Sequence, residues 1–284
     1  MVSREDYGSF ETAWCPGCGN FALLESLKTA LAEAGIEPGK LLMVSGIGQA
    51  AKIPQYLRCN MFNGLHGRAL PVATGAKLAN HELTVIAESG DGCMYSEGGN
   101  HLSHAIRRNI DITCIVHDNQ VYGLTKGQAS PTSEPEFDSG TSPGGSHMEA
   151  HHPLALAIAL DCGFVARGFA GDMEQLSQLI RDGIKHPGFA LIDVLQPCVS
   201  FNGINTFKWY KDRVYKLEET DYDSGNRSIA FEKSLEWGGK IPTGVLYRAS
   251  RNTFESSEPA IAKIPLVKRE WNPQNLRSIV DKMK

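Results

Sequence analysis

A chain of 284 residues with 42% apolar and 21% charged side chains is long enough to bury one large core, and a formal net charge of -4 with no long basic run argues against a nucleic-acid partner. No uninterrupted apolar run reaches the roughly 18 residues that a membrane span requires, and the opening Met1-Val2-Ser3-Arg4-Glu5-Asp6 lacks the apolar stretch of a secretory signal, so the expected compartment is the cytoplasm. Seven cysteines, an odd number, argue against a fully paired disulfide framework. Of these, Cys93, Cys114 and Cys162 read as small buried apolar residues.

The first 19 residues have no period and end in Cys15-Pro16-Gly17-Cys18-Gly19. A helical pattern follows over 20–34, with Leu23, Leu24, Leu27 and Leu31 on one face. Residues 41–45 read as a buried strand stopped by Gly46 and Gly48. A second strand, 83–88, ends at Gly90-Asp91-Gly92, and a helix with Gly98-Gly99 near its start carries His101 to Arg108. A third strand, 112–117, ends at Asp118-Asn119. Helices near 154–160 and 173–184 and a strand at 189–195, ending in Gln196-Pro197-Cys198, complete the pattern. Strands and helices alternate, and the strands are continuous apolar runs, so an α/β fold is expected, its parallel sheet covered by helices on both faces. Ligands of such sheets bind at the carboxyl ends of the strands, where Gly46, Gly90 to Gly92, Asn119 and Cys198 all fall. The stretch 129–152, rich in Ser, Pro, Gly and Glu, reads as a long loop over that rim. Two segments are expected: an α/β domain over 1–205, and a polar extension over 206–284 anchored by aromatics such as Trp209, Tyr210 and Trp271, which packs on the domain or on a partner.

A Gly-Asp-Gly triplet alone is compatible with a tight turn between strand and helix. Here 26 residues separate it from Asn119, which is followed by Gln120-Val121-Tyr122-Gly123, and the whole resembles the GDG…N motif of thiamine-diphosphate enzymes. One crossover helix between the two strand ends brings Asp91 and Asn119 side by side. A carboxylate oxygen, an amide oxygen and the carbonyl of Val121 would give magnesium three of the six oxygens it prefers, with two diphosphate oxygens and a water as the rest. Gly90 and Gly92 let the backbone approach the phosphates, and the amides of Gly92 and Cys93 can donate to them.

The Cys15-Pro16-Gly17-Cys18 pair by itself is compatible with a thioredoxin-type redox pair, half a zinc site or half an iron–sulfur site. The passages Trp14 to Gly19, Ser45-Gly46-Ile47-Gly48, Leu65-His66-Gly67-Arg68 to Gly75, Gly90-Asp91-Gly92 and Pro197-Cys198, in that order and with a weaker echo at Ile241 to Val245, resemble the β subunits of 2-oxoacid:ferredoxin oxidoreductases. That resemblance implies a thiamine-diphosphate-binding fold and a [4Fe–4S] cluster held by Cys15, Cys18 and Cys198. The family's remaining ligand follows the Gly-Ile-Gly turn, where this chain has Gln49, so Cys59 is expected to substitute. It implies His66 near the reacting carbons as a catalytic residue and Lys52 in the substrate's side-chain pocket. Gly46, Gly48, Gly123 and Leu124 are implied around the cofactor, and Leu124 and Lys126 around the substrate. An ammonium at Lys52 suits the distal carboxylate of 2-oxoglutarate, whereas pyruvate would leave that charge unpaired. The implied reaction interconverts 2-oxoglutarate, coenzyme A and oxidised ferredoxin with succinyl-CoA, CO2 and reduced ferredoxin. The alternatives are the same chemistry on pyruvate and a non-redox thiamine decarboxylase or synthase. An α subunit is implied too, in an αβ heterodimer or a pair of them, because the carboxylate for the aminopyrimidine comes from that partner in the family.

Overall fold

The computed structural model describes residues 1–135, 137–146, 148–270 and 272–283, so Trp271 lies outside the described residues. The chain opens on a short turn of helix and reaches α1 (Gly19–Glu33) directly after Cys18, which is its N-cap. Leu23, Leu27 and Leu31, spaced by four, are fully buried, each contributing about 1.5–3 kcal/mol relative to exposure. Then come β1 (Leu41–Ser45), a 3-10 segment (Ala50–Tyr56) and β2 (Asn60–Asn63). Next in the chain are α2 (Ala69–Ala79), β3 (Thr84–Gly90), α3 (Gly99–Arg108) and β4 (Thr113–Asp118). A small hairpin of β5 (Val121–Tyr122) and β6 (Gln128–Ala129) precedes α4 (Pro153–Ala159), β7 (Phe164–Phe169), α5 (Met173–Lys185) and β8 (Ala190–Leu195). The remainder holds α6 (Phe207–Lys211), β9 (Val214–Lys216), α7 (Arg227–Ser234), β10 (Ile241–Arg248), α8 (Phe254–Ser257) and α9 (Pro273–Lys282).

Eight strands form one sheet in the order β2-β1-β3-β4-β8-β7-β10-β9. From β2 through β7 every pairing is parallel; β10 then runs antiparallel to β7, and β9 parallel to β10. Alternate residues serve two separate cores. Val44, Val85, Cys114, Val116 and Leu191 face a core closed by α2, α3, α4 and α7. Met43, Ile86, Ile115, Ile192 and Val194 face the other, closed by α1 and α5. Both faces are apolar, so the strands read as unbroken apolar runs rather than alternating ones. The segment after residue 205 is built into this sheet through β9 and β10.

Several elements have no counterpart in the sequence expectations, four of them in or beside the main sheet. β2 is a four-residue edge strand, exposed throughout. α2 contains Pro71 and Gly75, but Pro71 sits in the first turn, where its missing N–H costs no helical bond. β7 carries the buried Arg167 in mid-strand, and β10 carries Pro242, Gly244 and a bulge between Val245 and Tyr247. Residues 129–152 are a loop, as expected; after β6 its only bridge among the described residues joins Ser139 and Ser142. No helix among the described residues is long and apolar enough to cross a membrane.

Candidate active site

The carboxyl ends of β1, β3 and β4 meet around a cavity of about 80 Å³. From the β1 loop it takes Gly48 and Gln49, from the β3 loop Gly90, Asp91, Gly92 and Cys93, and from the β4 loop Asn119, Val121, Gly123 and Leu124, with His66 at one side. Gly46 does not line the cavity itself but packs on Cys93, which does, and a side chain there has no room: a Cβ would stand 2.3 Å from the Cys93 sulfur. A Cβ on Gly92 would meet the Tyr122 ring at 2.2 Å. Directly after Asp91 the chain makes a π-helical turn, Gly92–Glu97, and the first N–H groups of such a segment have no intrahelical acceptor.

Asp91 is 1% exposed. Its Oδ2 accepts hydrogen bonds from Ser130 at 2.5 Å and from Thr132 at 2.8 Å, both supplied by the long loop. Burial pushes its carboxyl above the usual carboxylate range, and the two hydroxyls act in the opposite direction. Thr132 Oγ1 also lies 2.7 Å from Asp118 Oδ1. A hydroxyl has one proton to give, so with Asp91 accepting it, the second contact is satisfied when Asp118 is the protonated acid. Burial first, then the charges of Asp193 and Asp91, hold Asp118 well above the carboxylate range, in keeping with that assignment. Asp193 accepts from Tyr95 Oη at 2.5 Å, and burial raises it from 3.8 to about 6 against the pull of Arg167. The Arg167 guanidinium, also buried, donates to the Ser234 carbonyl at 3.1 Å and lies over the Trp237 ring.

Asn119 Oδ1 accepts the Val121 N–H at 3.1 Å, folding the loop back on itself, while Gln120 between them takes a left-handed backbone. An amide oxygen has a second lone pair, so Asp91, Asn119 and the Val121 backbone, which line the same cavity, offer oxygen donors of the kind that magnesium takes. The residues fit the ion.

His66 is presented by a rigid loop. Gly67 has φ +70 and its Cβ position is occupied by the Glu97 backbone, and the Gly67 N–H donates to the Cys93 sulfur at 3.1 Å. His66 Nδ1 lies 3.0 Å from Glu97 Oε2, and its ring is 6.0 Å from that of Tyr122. Lys52, on the 3-10 segment, is half-buried and has no carboxylate partner among the described residues; it does not line the cavity itself, though its neighbours Gln49 and Ala50 do. Leu124 is at the cavity mouth and largely exposed. Lys126 is not in the pocket: it sits with φ 75 at the exposed tip of the β5–β6 hairpin.

Three of the four expected cluster cysteines come together. Cys15, Cys18 and Cys198 line a second cavity of about 60 Å³ with Trp14, Gln49 and Gln196. Gln49, Asn119 and Gly123 line both cavities, so the two share a wall. Burial raises the Cys18 thiol, opposed by hydrogen bonds from the Asn20 amide and the Gln196 side chain. The expectation that Cys59 joins this set is not met. Its sulfur lies 3.9 Å from the Pro54 carbonyl, packed against the apolar core under α1, and burial pushes its thiol up to about 12. Among the described residues no group of three or more His, Cys, Asp or Glu converges on a single metal ion. Ser130, Thr132 and Glu97 are the site residues that have no signal in the sequence reading. The run Ser130-Pro131-Thr132-Ser133 signals a hydroxyl-rich turn, but nothing local says which carboxylate it meets.

A parallel sheet with an acidic glycine turn and an asparagine at adjacent strand ends defines a thiamine-diphosphate-binding protein, and residues 40–194 match the family described as thiamine pyrophosphate enzyme, C-terminal TPP binding domain. Residues 198–263 match a second family, the C-terminal region of the pyruvate ferredoxin oxidoreductase beta subunit. The chain is 47% identical over 247 residues to the 2-oxoacid:ferredoxin oxidoreductase subunit beta of a Sulfolobus species, covering 83% of this chain and 81% of that one. It is 36% identical to the 2-oxoglutarate synthase subunit KorB of Methanocaldococcus jannaschii, covering 81% and 85%. Among solved structures it resembles the 2-oxoglutarate:ferredoxin oxidoreductase of Magnetococcus marinus with 2-oxoglutarate, coenzyme A and succinyl-CoA bound, with a TM-score of 0.86 and 37% identity over 99% of this chain and 91% of that one. The chain belongs to the family of 2-oxoacid:ferredoxin oxidoreductase β subunits.

Proposed function

We propose that this chain is the thiamine-diphosphate-binding β subunit of a cytoplasmic oxidoreductase that converts 2-oxoglutarate and coenzyme A to succinyl-CoA and CO2, with ferredoxin as electron acceptor. The observation that carries the reading is the Asp91–Asn119–Val121 oxygen set at adjacent strand ends, locked from behind by Ser130 and Thr132. These three residues would hold Mg2+, and the amides of Gly92 and Cys93 would face the diphosphate. Thiamine diphosphate supplies the carbon nucleophile and electron sink. His66, whose Nδ1 is turned to Glu97, has Nε2 left to hold a proton beside the reacting oxygen. Lys52 offers a half-buried ammonium for the distal carboxylate of the substrate, which favours 2-oxoglutarate over pyruvate.

Among the described residues lining the thiamine cavity, Asp91 is the sole carboxylate and is already committed to the metal. The acid that activates the aminopyrimidine is assigned, as the family resemblance implies, to an α subunit, and the exposed apolar residues Leu65, Met61 and Phe62 beside His66 suit such a partner. The pocket of Cys15, Cys18 and Cys198 is assigned to an iron–sulfur cluster standing against the thiamine cavity. The test is anaerobic reduction of ferredoxin or a viologen by the αβ complex, with CoA and a panel of 2-oxoacids. A rate with pyruvate exceeding that with 2-oxoglutarate, or turnover without an electron acceptor, would overturn it.

A further inference from the structure

The chain returns to the Asn119 loop once more, in the turn 198–205 that follows β8, and it brings Asn202 there. This side chain is 4% exposed, and both its N–H donors and both lone pairs of its oxygen are used. Nδ2 donates to the backbone carbonyl of Asn119 at 3.1 Å and to Asn205 Oδ1 at 3.1 Å. Oδ1 accepts the N–H groups of Ile204 and Asn205, each at 3.0 Å. The Asn202 N–H in turn donates to the Cys198 carbonyl at 3.1 Å. One amide thus ties a closed turn to a loop 83 residues earlier in the chain.

The loop it reaches is not held by its own conformational preference. Gln120 stands at φ 57, a left-handed backbone that a residue with a side chain rarely adopts and that persists only where the surroundings enforce it. Here they do so from two sides. Asn202 takes the Asn119 carbonyl just before the strained residue, and Ser133 Oγ donates to the Gln120 carbonyl just after it, at 2.5 Å. With both carbonyls fixed, the Asn119 side chain folds onto the Val121 N–H at 3.1 Å and keeps its second lone pair for an ion. Asn202 does not line the thiamine cavity, so it acts through Asn119 and not on the cofactor.

We propose that Asn202 is a positioning residue for the magnesium site, and that cofactor binding is felt in return as a tightening of the turn 198–205. The proposal rests on the reading that Asp91, Asn119 and Val121 hold Mg2+ with thiamine diphosphate. Coupling between two sites is reciprocal. If the bond from Asn202 aims Asn119, an ion that fixes Asn119 also stabilises that bond, and with it the two N–H groups that Asn202 Oδ1 accepts. The same turn carries Cys198 and, with Val199, Ser200 and Phe201, walls the cysteine-lined cavity. One side chain is therefore a mechanical link between the two cavities.

The test uses the αβ complex freed of cofactor, with calorimetric titration of Mg2+–thiamine diphosphate, thermal melting and amide hydrogen exchange as readouts independent of turnover. Asn202→Asp keeps the shape and the oxygen that accepts from Ile204 and Asn205. Asn205 Nδ2, which has no partner in the wild type, can turn to the second carboxylate oxygen. What the variant loses is the donor to Asn119, replaced by a negative oxygen against a carbonyl. Cofactor binding should weaken by about tenfold or more, as it does when an outer partner of a metal ligand is removed. The cofactor-free complex should melt within about 2 °C of wild type. In the wild type, cofactor should slow exchange at the Ile204 and Asn205 amides by about tenfold, and in Asn202→Asp that response should vanish. Wild-type affinity in Asn202→Asp, or exchange at those amides that ignores the cofactor in the wild type, overturns the proposal. So does a large fall in the melting temperature of Asn202→Asp, which makes the residue merely structural. A wild-type complex that binds no thiamine diphosphate overturns the reading beneath it.

Discussion

The Thr132 hydroxyl touches both Asp91, the carboxylate proposed to hold the metal, and its buried neighbour Asp118, at 2.8 Å and 2.7 Å. Thr132→Val removes the hydroxyl while keeping the branched shape. A hydrogen bond to a charged acceptor nets about 1.5–3 kcal/mol, and each 1.4 kcal/mol is tenfold in affinity. Loss of the bond that holds Asp91 ionised and aimed should therefore weaken Mg2+–thiamine diphosphate binding by about 10–100-fold, the range found when outer partners of metal ligands are removed. Asp118 also loses a partner, so the metal-free complex should unfold at lower temperature. Titration of cofactor into the αβ complex, followed by calorimetry or tryptophan fluorescence, reads the affinity. Thr132→Ser keeps the hydroxyl and should stay within about threefold of wild type. An unchanged dissociation constant in Thr132→Val would refute the idea that the long loop sets the charge state of the magnesium site.

Lys52→Ile should lower the ratio of kcat/KM for 2-oxoglutarate over pyruvate by about 10–100-fold, the value of one charge-assisted contact of about 1.5–3 kcal/mol; a ratio that stays put removes Lys52 from the pocket. Asp193 gives a pH signature. Its folded pKa is raised from 3.8 to about 6, so the folded chain holds a proton there that the unfolded chain has released, and this group's contribution to stability falls as pH rises from about 4 to about 6. Asp193→Asn does not titrate. Its thermal midpoint relative to wild type should therefore climb across that window, and a difference that is flat from pH 4 to pH 7 would show that Asp193 is not the group responsible.

The legible parts of the fold are those where one local pattern has one physical outcome. Residues 41–45 and 189–195 are apolar because both faces of the sheet are covered, and these expected strands coincide with β1 and β8 to within a residue. β7 is hidden in the sequence because Arg167 breaks its apolar run, and a mid-strand arginine makes sense only once Asp118 and Asp193 from β4 and β8 are seen beside it. β10 is hidden because Pro242 and Gly244 signal a turn; the proline is tolerated near the strand's start and the glycine has φ +121.

The same division runs through the site. Asp91 and Asn119 can be paired from sequence because each ends a strand, and neighbouring parallel strands end at the same level. Ser130 and Thr132 cannot, because the loop that returns them to Asp91 has no period that says where it goes. The cysteines divide most sharply of all. Cys59 is ten residues from Gln49 in the chain, and proximity in sequence makes it the natural fourth ligand. In between, however, the chain turns through the 3-10 segment and descends to the amino end of β2 before climbing back to the rim. A residue that starts a parallel strand and one that follows its neighbour's end are on opposite edges of the sheet, however few positions separate them. That geometry, rather than any property of the thiol, puts Gln49 and not Cys59 among the residues that line the cavity of Cys15, Cys18 and Cys198.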